Sequence, residues 1–149
     1  MIEGLVSELV RRGYRVSVVK HSVHASTFDE PGKDTWRFVQ AGACSVALFS
    51  AREVVTIRPL KEEPSLDAVA KLLDEDSDLI IVEGYRRGSG PAIEVLGPDD
   101  EHEETDGLIA AVCERPRELE VPLFGPGEFA KLVDLIEGTL LKPVRAPGR

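Results

Sequence analysis

The chain has 149 residues, a length that fits one domain with a continuous hydrophobic core. Its net charge of −9 disfavours a nucleic-acid backbone or an anionic membrane surface as a partner. No apolar run approaches the length of a membrane-spanning helix, and the first residues lack the basic region of a signal peptide. Cys44 and Cys113 show no metal-ligand spacing, so we expect reduced core thiols of a cytoplasmic protein rather than a disulfide.

The first third of the chain predicts alternating elements around a long loop. Apolar residues at helical spacing, a basic last turn and a glycine after it predict an amphipathic helix, whereas a short β-branched run predicts a buried strand. In chain order we expect a helix over 2–12, a strand over 14–19, a functional loop over 20–34 and a short helix over 34–41 that stops at Gly42.

The remainder predicts a hairpin and further alternation. Residues 43–49 and 54–58 are strand-like runs joined by residues 50–53, and Ser65 can cap a helix whose apolar face is Leu66, Val69, Leu72 and Leu73. The acidic run at 99–104 lacks the glycine and alternating spacing of an EF-hand loop, so we interpret it as a solvated surface loop. The later elements are strands at 79–82, 92–96, 108–113 and 121–124, and a helix after Pro126 with Phe129, Leu132, Val133, Ile136 and Leu140 on its core face. Together they predict an α/β fold with a largely parallel sheet, flanking helices and one hairpin.

Polar residues follow the strand predicted at 14–19. Ligands of open α/β sheets gather at the carboxyl ends of strands, so Lys20 is a candidate phosphate contact, and His21 and His24 are candidates for a phosphate or a metal. Solvated side chains at a strand end are the alternative, which we favour for His24 and leave open for Lys20 and His21.

A second group surrounds the Pro31-Gly32 turn. Lys33 offers a cation, and Asp34 can cap the helix that follows; a helix N-terminus beside a lysine attracts an anion. A plain turn with its cap and a solvated lysine is the alternative, and from the residues alone it is favoured for Pro31, Gly32 and Asp34. We expect Trp36 and Phe38 to pack rather than to bind a ligand.

A third group ends the strand predicted at 79–82. An apolar strand that delivers a carboxylate and then a glycine is how many nucleoside triphosphatases hold Mg²⁺ through water, which makes Glu83 the candidate metal residue. Gly84 lets the backbone pass close to a phosphate, and Arg86 and Arg87 are candidates to neutralise phosphates or to face a partner. A chance Glu-Gly pair at a strand end is the alternative.

Taken together and in order, these segments resemble the MobB family, the GTP-binding adaptors of molybdopterin guanine dinucleotide biosynthesis. The resemblance covers most of the chain up to roughly residue 135, and it depends on shared order and spacing, since each motif alone is short. The matching stretches are RGYRV (12–16), VKH (19–21), PGKDT (31–35), AGA (41–43), DLIIVEGY (78–85) and PAIEV (91–95).

The resemblance implies a dimeric, P-loop NTPase-like fold that binds GTP with Mg²⁺ and has at most slow GTPase activity. It also implies association with the guanylyltransferase that attaches GMP to molybdopterin. Glu83 falls on the family's Mg²⁺-side motif, and no catalytic residue is assigned. The nucleotide-binding positions that it implies are Lys20, His21, Asp29, Lys33, Asp34, Arg37 and Gly84.

The sequence departs from the family's pattern at three places. It contains no G-x-x-x-x-G-K-[ST] phosphate loop, Ala92 stands where the family has a lysine, and residues 112–114 (Val-Cys-Glu) replace a Thr-Asp pair. These departures bear on nucleotide affinity and base choice, and we expect this chain to bind GTP weakly or not at all. We expect a domain over 1–141 that is incomplete at its N-terminus, where the first strand and phosphate loop are missing, and a loose tail over 142–149.

Two other functions stay open from the sequence. One is a nucleotide-free dimeric interaction module that only contacts the transferase. The other is a metallochaperone-type GTPase that loads nickel through His21 and His24, which we rank lower because no cysteine accompanies these histidines.

Overall fold

The computed structural model describes residues 1–23, 27–73, 75–85, 90–102, 105–115 and 117–141. None of the helices in this part of the chain combines the length and the apolar character that a membrane span needs. The elements are, in chain order, α1 (Ile2–Arg11), β1 (Val16–Lys20), α2 (Asp34–Gln40), β2 (Val46–Phe49), β3 (Val54–Ile57), α3 (Leu66–Ala70), β4 (Leu79–Glu83), β5 (Ala92–Leu96), β6 (Leu108–Cys113), β7 (Leu123–Phe124) and α4 (Phe129–Thr139).

The strands of the described residues form two parallel sheets and one antiparallel hairpin. β1 pairs with β4 in parallel from Val16 opposite Leu79 to Lys20 opposite Glu83. β6 lies between β5 and β7, parallel to both, whereas β2 and β3 form the hairpin. The prediction of a largely parallel α/β sheet with one hairpin is therefore confirmed. Among the described residues β4 pairs with β1 and β5 with β6, so the parallel strands fall into two hydrogen-bonded sets.

One apolar core joins the two parallel sheets. α1 contributes Leu5 and Leu9 and α4 contributes Leu132, Val133 and Ile136, all of them buried. The same cluster includes β6, and half-buried residues of β1, β4 and β5 pack against it. Burial of apolar surface on both sheets by the same two helices is what holds the sheets together.

α1 and α4 lie very close to each other. A Cβ atom added at Gly4 would lie 2.3 Å from Cε2 of Phe129, so the glycine leaves the space that this ring fills. At the other end of α1, Arg12 donates hydrogen bonds to Asp134 at 2.6 Å and to Glu137 at 2.7 Å on α4. The guanidinium groups of Arg11 and Arg12 lower the pKa of Glu8 to about 2, through the hydrogen bonds they donate to it.

Several predicted boundaries and burials are wrong in detail. The strand predicted at 14–19 begins at Val16, because Tyr14 is buried in the core before the strand starts, and the strand is half-exposed rather than buried. Leu72 is 70% exposed, since α3 ends at Ala70 and the helical periodicity stops there. Leu140 is also exposed, because α4 ends at Thr139.

The two cysteines differ. Both are free thiols, and Cys113 is buried in β6 as predicted. Cys44 is exposed, so its assignment to the core was wrong. It lies between α2 and the hairpin, outside the residues that α1 and α4 cover. The tail predicted at 142–149 lies outside the described residues.

Candidate functional site

The carboxyl ends of β1 and β4 meet at one edge of their sheet. Because the pairing is parallel and in register, Lys20 and Glu83 are neighbours, and their side chains form an ion pair of 3.1 Å between Nζ and Oε2. Both side chains are largely exposed, so water screens the pair. A cation and a carboxylate therefore lie side by side where open α/β sheets bind ligands.

His21 connects the end of β1 to the end of β4 and to the segment before α3. Its backbone amide donates to the carbonyl oxygen of Glu83 at 2.8 Å, which continues the strand pairing by one residue. Its ring contacts the Gly84 carbonyl through Nδ1 at 3.1 Å and the Glu63 carboxylate through Nε2 at 3.0 Å. The ring also meets Tyr85 edge-on, with centroids 5.5 Å apart. Sequence reasoning missed Glu63, because only the fold brings the segment before α3 to this edge.

Gly84 permits a close backbone approach. Its φ is +79°, and an added Cβ would lie 2.7 Å from the carbonyl oxygen of His21. A side chain at this position would be strained and would also collide with the backbone. The glycine was predicted to let the backbone pass close to a phosphate, and the neighbour that approaches it here is the His21 backbone.

Asp29 organises the loop before α2. Its Oδ1 accepts hydrogen bonds from the Glu30 amide and the Thr35 hydroxyl, both at 2.9 Å. Its Oδ2 is buried and has no hydrogen-bond partner among the described residues. A carboxylate oxygen left in this way can accept from a ligand or a water.

Lys33, Asp34 and Arg37 pair within their own segment. Lys33 lies 3.9 Å from Glu30, and Arg37 lies 3.8 Å from Asp34. In the described part of the chain, none of the three forms an ion pair with Lys20 or Glu83. The capping prediction was wrong: Lys33 occupies the N-cap position of α2, Asp34 is its first residue, and no side chain caps it.

The two aromatic side chains of α2 differ in burial. Trp36 is half-buried, in line with the expectation that it packs. Phe38 is exposed, so the same expectation was wrong for Phe38. The helix has seven residues and no fully buried side chain, so it covers only a small part of the hairpin.

Glu83, the candidate metal residue, pairs with Lys20 and has no companion metal ligands among the described residues. Within the described ranges, no group of three or more His, Cys, Asp or Glu side chains could hold a metal ion. Mg²⁺ keeps much of its water shell and needs one or two carboxylates besides phosphate oxygens. Glu83 supplies one carboxylate, which suits that mode of binding. His24, Arg86 and Arg87 lie outside the described residues.

A cavity of about 520 Å³ opens beside this edge. Val19 and Val82, which lie opposite each other in β1 and β4, line it together with Leu66 and Val69 of α3. Its other lining residues are Lys20, His21, Ser22, Phe28, Leu60, Lys61, Glu62, Glu63, Pro64 and Tyr85.

Parallel strands with helices packed on them define a protein of the open α/β class, and the polar residues where β1 and β4 end are its candidate ligand contacts. Residues 1–114 match the model of the family described as molybdopterin guanine dinucleotide synthesis protein B. The chain belongs to this family, MobB, as its sequence motifs predicted.

Curated relatives agree with this membership. The molybdopterin-guanine dinucleotide biosynthesis adapter protein of Haemophilus influenzae is 32% identical over 146 residues, which cover 94% of this chain and 81% of that protein. The adapter protein of the same name from Escherichia coli is 28% identical over 144 residues, which cover 91% of this chain and 82% of that protein.

Solved structures agree as well. A crystal structure of molybdopterin-guanine biosynthesis protein B (mobB) superimposes with a TM-score of 0.76 at 27% identity, over 93% of this chain and 90% of that one. Bacillus subtilis MobB gives a TM-score of 0.70 at 24% identity, over 95% of this chain and 89% of that one, and supports the fold alone. The P-loop NTPase-like α/β fold predicted from the sequence is confirmed.

Proposed function

We propose that this chain is a cytoplasmic adapter of molybdopterin guanine dinucleotide biosynthesis. In this proposal it binds GTP with Mg²⁺ and assists the guanylyltransferase that attaches GMP to molybdopterin. The proposal rests on membership of the family and on one structural observation. That observation is the pairing of Lys20 with Glu83 at 3.1 Å, where the two parallel strands end.

In this proposal, nucleotide binding separates Lys20 from Glu83 and gives each of them a new partner. A phosphate would take the place of Glu83 beside Lys20, and Mg²⁺ would take the place of Lys20 beside Glu83. Exposed ion pairs stabilise a protein by only about 0–1 kcal/mol, so separating this one costs little. His21 and Gly84 support the exchange by holding the two strand ends together.

The sequence contains no phosphate loop, and this limits the affinity that we expect. The backbone amides and lysine of that loop supply most contacts to the β- and γ-phosphates. We therefore expect no stabilisation of this chain by micromolar GTP with Mg²⁺, and a small rise in melting temperature at millimolar GTP. A ligand at 100-fold its Kd would add about 2.7 kcal/mol, which thermal unfolding detects readily.

The same melting experiment tests the site. Glu83→Gln should abolish the Mg²⁺-dependent part of the rise, because the amide keeps the shape but loses the charge. Glu53→Gln, an exposed carboxylate in the hairpin turn, is the matched control and should leave the rise unchanged. Tight binding of GTP by the wild-type chain, or an unchanged response in Glu83→Gln, would contradict the proposed nucleotide role.

We further propose that the chain self-associates through the β2–β3 hairpin. Phe49 is 80% exposed, and the large apolar side chains Leu48, Val54 and Val55 are exposed beside it. A two-stranded hairpin without a further cover is marginally stable, and exposed apolar patches mark interaction sites. Sedimentation should give the mass of two chains for the wild type and of one chain for Phe49→Glu. Leu72→Glu, an exposed leucine outside the hairpin, is the control, and a monomeric wild type would contradict the proposal.

The nucleotide-free interaction module is the second candidate. It is favoured by the ion pairs of Lys33 and Arg37, which stay within their own segment rather than facing Lys20 and Glu83. This candidate predicts cooperative unfolding that GTP with Mg²⁺ never shifts, combined with an increased rate of GMP transfer by the guanylyltransferase. A chain that neither responds to GTP nor affects transfer would contradict both candidates.

The nickel metallochaperone has the least support. His21 already contacts Gly84 and Glu63, so a metal would have to displace both. Stoichiometric binding of Ni²⁺ that is lost in His21→Ala would revive this function.

A further inference from the structure

The cavity beside β1 and β4 lies on the face of their sheet that the main core does not use. Val16 and Leu79 pack against the core of α1 and α4. Side chains alternate along a strand, so Val19 and Val82 point to the opposite face. α3, which would cover that face, has only five residues, and the space it leaves has a volume of about 520 Å³. Cavities that bind small molecules measure roughly 300–1,000 Å³.

The walls of this cavity suit a flat apolar body. Val19 and Val82 form one wall, and Leu66 and Val69 of α3 form another. Phe28, at the edge of the cavity, is 87% exposed, so its ring is available to stack on a planar ligand. An aromatic ring system in this space would cover the side chains that the short helix leaves in contact with water.

Two charged side chains of the lining form no ion pair with the residues that the structure describes. Lys20 is paired with Glu83, and Glu63 with His21. Lys61 and Glu62, by contrast, are exposed and form no ion pair with any described residue. A carboxylate accepts hydrogen bonds from amino and ring N–H groups, and an ammonium group attracts an anion. The charges of Lys61 and Glu62 therefore suit a ligand that carries both a negative charge and N–H donors.

We propose that this cavity binds a fused, amino-bearing heteroaromatic ring with an anionic side arm, the chemistry of a phosphorylated pterin. Glu62 accepts from the amino-bearing edge of the ring, Lys61 binds the anionic arm, and Phe28 stacks on its face. The choice of a pterin over other ring systems rests on the proposed function, in which molybdopterin is the compound that receives GMP. The cavity shares Lys20 and His21 with the proposed nucleotide edge, so the two sites are adjacent.

Fluorescence titration of the whole chain with neopterin monophosphate tests this inference. The wild type should quench the pterin saturably, and Val69→Phe, which fills the cavity, should weaken binding at least tenfold. Val10→Phe makes the same change on the exposed side of α1, away from the cavity lining, and should leave the affinity unchanged. No saturable binding by the wild type, or equal binding by Val69→Phe, would overturn the inference.

Two further measurements keep the test decisive. If Val69→Phe does not fold, the exposed pair Lys61→Ala and Glu62→Ala replaces it: a loss of affinity supports the site and full affinity overturns it.

Guanosine 5′-monophosphate is the competing ring system, and tighter binding of this purine than of the pterin overturns the ligand class. Failure of the pterin to bind while the chain still increases GMP transfer overturns the cavity assignment alone. Pterin binding without any effect on GMP transfer overturns the proposed adapter function, whereas the assignment of the cavity as a pterin site stands.

Discussion

Gly84 directly follows β4, and its Cα lies close to the backbone of His21 at the end of β1. An alanine there would be strained at a φ of +79° and would also place its Cβ 2.7 Å from the His21 carbonyl oxygen. We expect Gly84→Ala to lower the free energy of unfolding by at least about 2 kcal/mol. Urea denaturation followed by circular dichroism measures this.

Gly32 provides the matched control for this substitution. Its φ is +91°, and an added Cβ would meet nothing within 4 Å. Gly32→Ala therefore carries only the backbone strain, roughly 1–2 kcal/mol. Equal losses in the two variants would show that the contact with His21 has no energetic effect.

The sequence allowed site residues to be predicted where they lie at the end of a predicted strand. Lys20 and Glu83 follow apolar β-branched runs, and parallel pairing then makes them neighbours. Glu63 could not be found in this way, because it follows the hairpin by a short irregular segment whose path depends on tertiary packing. Lys33 was predicted from its place beside a helix N-terminus and Arg37 from the family resemblance, and in the described residues both charges are paired locally.

At the scale of elements, Gly4 allows α1 and α4 to lie close together. A Cβ at Gly4 would lie within 2.3–2.8 Å of three ring atoms of Phe129. Gly4→Ala should lower the free energy of unfolding by about 1–3 kcal/mol, because either the ring or the helix must move. Gly138 on α4 has open space, so Gly138→Ala should instead stabilise the protein by up to about 1 kcal/mol through helix propensity. Chemical denaturation of both variants checks the opposite signs; a stabilised Gly4→Ala would contradict the close contact.

The same helix pair makes stability depend on acid pH. Arg11 and Arg12 lower the pKa of Glu8 in the folded chain from 4.5 to about 2. Below pH 4.5 the unfolded chain therefore takes up a proton that the folded chain does not. The stabilisation from Glu8 is present above this range and is lost as the pH falls towards about 2.

Urea midpoints measured across this pH range test the role of Glu8. Glu8→Gln should lower stability at neutral pH and should flatten the acid decline. Glu3→Gln, which removes a carboxylate from the first turn of the same helix, should keep the wild-type slope. An unaltered slope in Glu8→Gln would show that other carboxyl groups cause the decline.

Elements were predictable where the apolar pattern is long. α1 and β6 lie within one residue of the predicted bounds, since each buries a regular apolar set. The pattern of Leu66, Val69, Leu72 and Leu73 continues beyond the end of α3, because the chain leaves the helical conformation at Lys71 and turns towards β4. Helical spacing in a sequence does not reveal where the chain must turn back to the sheet.

The whole molecule contains regions that should differ greatly in local stability. β6 is paired on both sides and contains four consecutive buried residues, Ala110–Cys113, whereas the hairpin has two strands and exposes its apolar side chains. The sequence indicated one largely parallel sheet, but the division into two sets depends on which strands find partners, and local patterns do not encode that.

Hydrogen exchange should resolve these regions. Amides of Ala111 and Val112 should exchange only through global unfolding, because breaking their pairing also opens the core of α1 and α4. Amides of Leu48 and Val55 should exchange by local opening, at a free energy at least about 2 kcal/mol lower and with little dependence on denaturant. Since the hairpin is also the proposed contact between copies, its protection should rise with protein concentration while that of β6 stays constant. Hairpin amides that match β6 at every concentration would mean that the hairpin unfolds only with the core, and that something within the same chain covers its apolar faces.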